Sequence, residues 1–186
     1  GNIMAEGGIS DRLIGFFELL LKRLPGRLAC ISVVASGFFG AISGSNPATV
    51  AAIGGICAPR MIQKGYPPAK AAAIAASAGT LGVVIPPSIP MVTYAVTANE
   101  SIIDMFEAGW VPGIMLIVGL CIANVVMCRK YDSVDNTAYP AREYLIRFKD
   151  AFLALLMPVI ILGGIYSGWF TPTESAAVAV LYGIII

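Results

Sequence analysis

Charged side chains are absent from four stretches of the chain, residues 28–59, 71–99, 108–128 and 151–173, and crowd into the segments between them. A plain helical crossing of a bilayer needs roughly 20 predominantly apolar residues. The stretches 108–128 and 151–170 have that length and predict one crossing each. Pro112 falls in the first turn of one, where a missing N–H costs little, and Pro158 falls midway along the other and predicts a kink. The remaining two stretches are too long for one straight helix. They are interrupted at Ser43-Gly44-Ser45-Asn46-Pro47, and at Gly79-Thr80 followed by Pro86-Pro87-Ser88-Ile89-Pro90. Residues 10–24 have another character. Leu13, Ile14, Phe16, Phe17, Leu20, Leu21 and Leu24 recur at helical spacing among Arg12, Glu18, Lys22 and Arg23, which predicts an amphipathic helix in the membrane interface. A shorter one is expected at 143–149. Thr171-Pro172-Thr173-Glu174 matches a capping box with proline at the first helical position, an outer turn before another helix.

The flanking charges set the topology. Lys22, Arg23 and Arg27 precede the 28–59 stretch, and Arg60, Lys64 and Lys70 follow it. Basic residues collect on the cytoplasmic side, so both ends lie on one face; a re-entrant helical hairpin satisfies this and a single crossing does not. The 71–99 stretch runs from Lys70 to Glu100, Asp104 and Glu107, with no Lys or Arg before Arg129, and predicts a broken crossing helix. Residues 108–128 then return to Arg129 and Lys130, and 151–170 go outward again. The expected organisation is a membrane-helix end or loop plus interfacial arm over 1–27 and the hairpin over 28–59. The broken crossing helix with its return helix covers 60–128, a cytoplasmic loop or arm 129–150, and further membrane helices 151–186. The expected fold class is all-α integral membrane.

Composition sharpens this. The chain is 58% hydrophobic and 12% charged, against about 25% charged residues in a typical soluble domain. A net charge of +1 offers no basic footprint for nucleic acid. Position 1 is glycine and the last residues stop inside an apolar run, so the sequence reads as an internal fragment with no signal peptide. Cys30, Cys57, Cys121 and Cys128 lie in apolar segments without a CxxC pair and read as small packing residues. Tyr94, Trp110, Tyr166 and Trp169 sit near predicted boundaries and read as an aromatic belt. There is no histidine, and no Asp, Glu, Lys or Arg falls at predicted membrane depth. Proton relays and intramembrane acid–base catalysis rest on such groups, so sodium coupling is favoured over proton coupling and a transporter over an enzyme.

Non-helical backbone at membrane depth survives only where protein buries it or where it lines a wet cavity. Secondary transporters use such breaks as sites, with half-helix N-termini facing anions and unwound carbonyls holding cations. The first break supplies the hydroxyls of Ser43 and Ser45, the side-chain amide of Asn46 and the flexible backbone of Gly44; Asn46-Pro47 reads as an N-cap and first-turn pair. The second supplies Gly79 and Thr80, then Pro86, Pro87 and Ser88. Oxygen-rich neutral backbone of this kind suits Na⁺. Gly40 and Gly44, four apart, also suit close helix packing, so a packing role and a binding role both stand at this point.

Three segments carry a family resemblance: "VVASGFFGAISGSNPATVAAIGG", "KGYPPAKAAAIAASAGTLGVVIPPSIPMVTYAV" and "LLMPVIILGGIYSGWFTPTESAAVAVLYG". They resemble the large membrane (permease) subunit of tripartite ATP-independent periplasmic (TRAP) transporters, in the ion transporter superfamily, over the whole of 1–186. The resemblance implies half of an inverted-repeat, elevator-type transporter in a bacterial or archaeal inner membrane, multi-pass, importing an organic anion such as a C4-dicarboxylate, sialic acid or another sugar acid. It implies Na⁺ as coupling ion and no other cofactor. The implied partners are a periplasmic solute-binding protein that delivers substrate and a small four-helix membrane subunit. Carried over by motif, Ser43, Gly44, Ser45 and Asn46 join Gly79, Thr80, Pro87 and Ser88 around one sodium and one side of the substrate, with Na⁺ at Ser43, Ser45, Gly79 and Thr80. The competing readings are a sodium–dicarboxylate or citrate carrier that works without a binding protein, an intramembrane enzyme and a structural assembly subunit.

Overall fold

A computed structural model describes residues 9–132 and 141–185, and every regular element among them is helical. Helix α1 (Ile9–Leu20) turns Leu13, Ile14, Phe17 and Leu19 inward. Gly26, at φ 68°, begins the next helix where a Cβ would lie 2.9 Å from the Asn124 carbonyl oxygen. Helix α2 (Arg27–Ser43) is the centre of the fold and is buried on nearly all sides from Leu28 to Ala41. Its first turn is tied to Asp132, 104 residues on from Leu28. The Leu28 N–H donates to Asp132 Oδ2 at 2.9 Å, the Gly26 N–H to the Asp132 carbonyl at 3.2 Å, and Arg27 Nη2 stands 4.0 Å from Asp132 Oδ1.

Helix α2 ends where Gly44 turns left-handed at φ 59° and donates its N–H to Gly40 O at 2.8 Å, the termination for which glycine has no Cβ penalty. The chain restarts as α3 (Asn46–Thr49), widens into a π-helical turn over Val50–Gly54, and continues as α4 (Gly55–Gln63). These segments pack back along α2, so residues 28–59 form a helical hairpin with its tip at Gly44-Ser45. There follow α5 (Pro68–Gly79), α6 (Leu81–Val84), a break, α7 (Ile89–Ala98), α8 (Ile102–Cys128), α9 (Ala141–Tyr166) and α10 (Pro172–Ile185). The segments Pro68–Ala98 and Ile102–Cys128, 31 and 27 residues, are long and apolar enough to cross a membrane; Arg27–Ser43 and Ala151–Tyr166 are shorter apolar helices. At 1.5 Å per residue α8 spans about 40 Å, which covers a hydrocarbon core of about 30 Å. Val111, Met115, Val118, Ile122 and Val126 line its exposed apolar face.

Several boundaries differ from the sequence reading, each for a local reason. Helix α8 starts at Ile102, because the Ser101 hydroxyl accepts the Asp104 N–H at 3.3 Å and an acid in the first turn suits the helix dipole. Absence of charge therefore did not mark its start, and Pro112 lies inside the helix rather than in its first turn. The short helix expected at 143–149 and the crossing expected at 151–170 are one helix, α9, with Pro158 inside it, so the loop placed at 129–150 ends before Ala141; residues 133–140 lie outside the described ones. The amphipathic helix α1 ends at Leu20, leaving Leu21 and Leu24 in the turn that follows. At Gly79-Thr80 the helix tightens without opening: Thr80 keeps helical dihedrals (φ −61°, ψ −22°) and its N–H reaches Ser77 O at 3.3 Å. The second interruption does open. Ile85 and Ser88 are extended, with ψ 127° and 135°, on either side of a cis Pro86-Pro87 bond.

Candidate ion and substrate site

The two interruptions meet. The Gly44 carbonyl accepts the Ile89 N–H at 3.3 Å, so the hairpin tip satisfies the first donor of α7. A Cβ on Gly44 would sit 3.0 Å from the Pro87 carbonyl oxygen, and one on Gly82 would sit 2.7 Å from the Ser45 carbonyl oxygen. A Cβ on Gly40 would lie 2.9 Å from Gly82 Cα. Glycines at these positions let main chain touch main chain, and the packing role expected for Gly40 is real. Gly79 is buried at the same junction, where its missing side chain makes room for Val50.

Hydroxyls knit the tip together. Thr49 Oγ1 donates to the Ser45 carbonyl at 2.8 Å. Ser43 Oγ and Thr49 Oγ1 stand in hydrogen-bond contact at 3.0 Å, and Ser43 Oγ also lies 3.4 Å from the Ser45 carbonyl oxygen. The Ser43 oxygen also accepts the Ser45 N–H at 3.4 Å and retains acceptor capacity. Ser45, at φ −143° and ψ 125°, occupies the cap position of α3, and Asn46 is the first helical residue, one step on from the expected N-cap. The Asn46 side chain thus has no capping duty. Its Oδ1 is buried without a hydrogen-bond partner, and so is Ser88 Oγ at the start of α7. An unpaired buried oxygen costs about 1–3 kcal/mol, and one such atom lies at each of the two interruptions.

Of the residues singled out from sequence, the fold brings Ser43, Gly44, Ser45, Asn46, Gly79, Pro87 and Ser88 to one junction. Thr80 is exposed, and its hydroxyl donates to Ser77 O of its own helix at 2.7 Å. Two members of the junction escaped the sequence reading. Thr49 is completely buried; its spacing four residues after Ser45, one helical turn, was the available signal. Gly82 was hidden in a helical run. A cavity of about 540 Å³ adjoins the tip, with Ser43, Gly44 and Ser88 on one wall and Met157, Ile161 and Thr173 on the other. That is the size of a small-molecule site, mostly apolar with a few convergent polar groups. Among the described residues no cluster of His, Cys, Asp or Glu could hold a metal ion. The donors are hydroxyl, amide and carbonyl oxygens, which suit hard cations.

The α10 cap has the form expected. The Thr171 N–H and hydroxyl donate to Glu174 Oε2 at 2.8 and 2.9 Å, and the Glu174 N–H returns to Thr171 Oγ1 at 3.3 Å. Trp110 donates from Nε1 to the Tyr166 hydroxyl at 2.9 Å, a link between α8 and α9 that the aromatic-belt reading did not anticipate.

The profile of the family described as "Tripartite ATP-independent periplasmic transporter, DctM component" matches residues 1–186. The chain belongs to that family. Among its relatives is the C4-dicarboxylate TRAP transporter large permease protein DctM of Pseudomonas aeruginosa, 45% identical over 186 residues, covering all of this chain and 44% of the relative. The sialic acid TRAP transporter large permease protein SiaM of Vibrio cholerae is 36% identical over 186 residues, all of this chain and 44% of the relative. The isethionate TRAP transporter permease protein DctMQ of Oleidesulfovibrio alaskensis is 43% identical over 187 residues, all of this chain and 29% of the relative. The chain thus spans less than half the length of these TRAP permeases. They are transporter subunits, a family not known as enzymes, and the resemblance read from the three segments holds.

Proposed function

We propose that the chain is part of a sodium-coupled importer for a small organic anion, and that the hairpin tip with the 85–88 break forms one coupling-ion site and one wall of the substrate cavity. The carrying observation is the pair of buried, unpartnered oxygens, Asn46 Oδ1 and Ser88 Oγ, beside the Ser43–Thr49 hydroxyl network. Ser43, Ser45, Asn46 and Ser88 are the proposed oxygen donors, and Gly79-Thr80 the outer part of the set. The bound ion supplies positive charge for a carboxylate in a site without a basic side chain. The N-terminal ends of α3 and α7 add partial positive charge there. C4-dicarboxylate, sialic acid and isethionate in the relatives' names support an organic anion as the substrate class.

In this reading 28–59 is re-entrant, with its basic ends at the cytoplasmic face of an inner membrane, and the hairpin and broken helix move together in an elevator-type step. A periplasmic binding protein delivers substrate, and a small membrane subunit braces the large one. The test is uptake by the full-length subunit and its partners in proteoliposomes at varied sodium. Ser43→Ala removes a donor worth about 1.5 kcal/mol toward a charged group, so the sodium concentration for half-maximal uptake rises about tenfold. An unchanged sodium titration removes the tip from the site. Thr80→Ala in the same assay reports whether the Gly79-Thr80 turn belongs to it. Uptake that persists without the binding protein favours the receptor-independent carrier instead.

A further inference from the structure

The cavity beside the hairpin tip lies between the tip with the 85–88 break on one side and α9 with α10 on the other. Phe106 on α8 and Ile165 on α9 also line it. Helices α8 and α9 are otherwise barely in contact. Yet Trp110, one turn on from Phe106, donates from Nε1 at 2.9 Å to the hydroxyl of Tyr166, the residue after Ile165. Trp110 is fixed to the first wall. Gly109 and Gly113 flank it on α8. A Cβ on Gly109 would lie 3.2 Å from the Val84 carbonyl oxygen, and one on Gly113 would lie 3.1 Å from Ile85 Cγ1, so α8 rests directly on the chain that enters the break. The indole packs against the buried cluster of Val33, Ala41, Ala78, Leu81 and Ile85. Tyr166 ends α9 and packs against a cluster that holds Met157, Ile161 and Ile165 of the opposite wall.

One polar bond therefore spans two helices that share little other surface, and each of its ends is anchored on a different wall of the cavity. A bond in that position adds little to either packed cluster and sets the separation between them. We propose that Trp110 and Tyr166 are positioning residues that clasp the two walls at a fixed spacing and part when the walls separate to admit or release substrate. This rests on the reading of the cavity as the substrate site. Neither residue lines the cavity, so both act through the walls: Trp110 through Ile85 and the break, Tyr166 through Ile165 and Ile161. The net worth of one neutral hydrogen bond corresponds to about fivefold in an equilibrium constant. That is enough to favour the closed spacing and small enough to be given up in every transport cycle.

The test compares Trp110→Phe, Tyr166→Phe and the double variant in the full-length subunit with its partners. Each single change keeps a ring and deletes the same bond. Spin labels at Val111 and Trp169, both exposed, in a cysteine-free background read the spacing of α8 and α9 by double electron–electron resonance. All three variants should give a longer and broader distance distribution than the parent. Uptake in proteoliposomes is measured with labelled succinate, sialic acid and isethionate. For the probe that is carried, KM should rise about fivefold, with the maximal rate retained or raised and the sodium concentration for half-maximal uptake parental. The double variant should lose no more than either single one, because both remove one shared interaction. Parental distance distributions in folded variants overturn the clasp. So does a double variant that loses the product of the two single effects, or a fall in maximal rate at parental KM. Longer distances with parental KM and rate for every probe uphold the clasp and remove this cavity from the substrate path, which separates failure of the underlying reading from failure of the clasp.

Discussion

Gly82→Ala is the substitution in which the sign of the effect depends on the junction. In a helix interior Gly→Ala ordinarily stabilises by up to about 1 kcal/mol. At Gly82 the added Cβ would lie 2.6 Å from Thr49 Oγ1 and 2.7 Å from the Ser45 carbonyl oxygen, with the Ser45 carbonyl carbon at 2.9 Å. The Thr49 hydroxyl cannot turn away without losing its bond to Ser45, and the other two atoms are main chain. Reaching ordinary contact at 3.4 Å moves the hairpin tip by about 0.7 Å. Overpacking of this kind costs about 1–3 kcal/mol, which outweighs the propensity gain and leaves a net loss of about 1–2 kcal/mol. Gly55, on the same hairpin, is helical, and a Cβ there would meet nothing within 4 Å. The assay is thermal unfolding of the full-length subunit carrying either substitution, with the sodium titration of uptake measured in parallel. Gly82→Ala should lower the midpoint and raise the sodium requirement, while Gly55→Ala should hold or raise the midpoint with parental sodium dependence. If both variants unfold together and share the parental titration, the tip is not seated on α6 as described.

Three further outcomes follow from the same geometry. Ser88→Ala removes an oxygen that has no partner in the structure, so unfolding should be unchanged or slightly later while sodium dependence weakens; an earlier transition with unaltered sodium dependence shows the hydroxyl to be structural. Asp132→Ala strips the 2.9 Å acceptor from the first turn of α2 and the carboxylate beside Arg27, and should lower stability by about 1–3 kcal/mol as the buried Leu28 N–H loses its acceptor, read from denaturant unfolding. Glu174 is held below the ordinary carboxylate range by the Thr171 N–H, then by the Thr171 hydroxyl. Its folded pKa is therefore the lower one, and its contribution is present above the unfolded value and lost as pH falls through the folded value. The protection of the Thr171 N–H against hydrogen exchange, taken relative to the intrinsic exchange rate at each pH, should fall in acid, and Glu174→Ala should abolish that fall.

The chain by itself determined that the protein is helical and suited to a bilayer, and roughly where the helices are interrupted. Length and absence of charge are local properties, as are the left-handed ending at Gly44, the break at 85–88 and the capping box at Thr171, each the work of neighbours within a few residues. Boundaries went astray where charge absence stood in for helix limits, because Asp104 in the first turn suits the helix dipole and Glu107, one turn on, is a good helix former. Only the tertiary structure decided which oxygens gather. Ser45 and Gly82 are 37 positions apart in sequence, and their main chains touch because neither Gly82 nor Gly40 carries a Cβ. Thr80, the hydroxyl nearest in sequence to Gly79, turns to its own helix, while Thr49, passed over as an ordinary helical residue, closes the network. Hydroxyl direction is set by the rotation of each helix against its neighbour, a quantity shared between distant segments and written in neither alone.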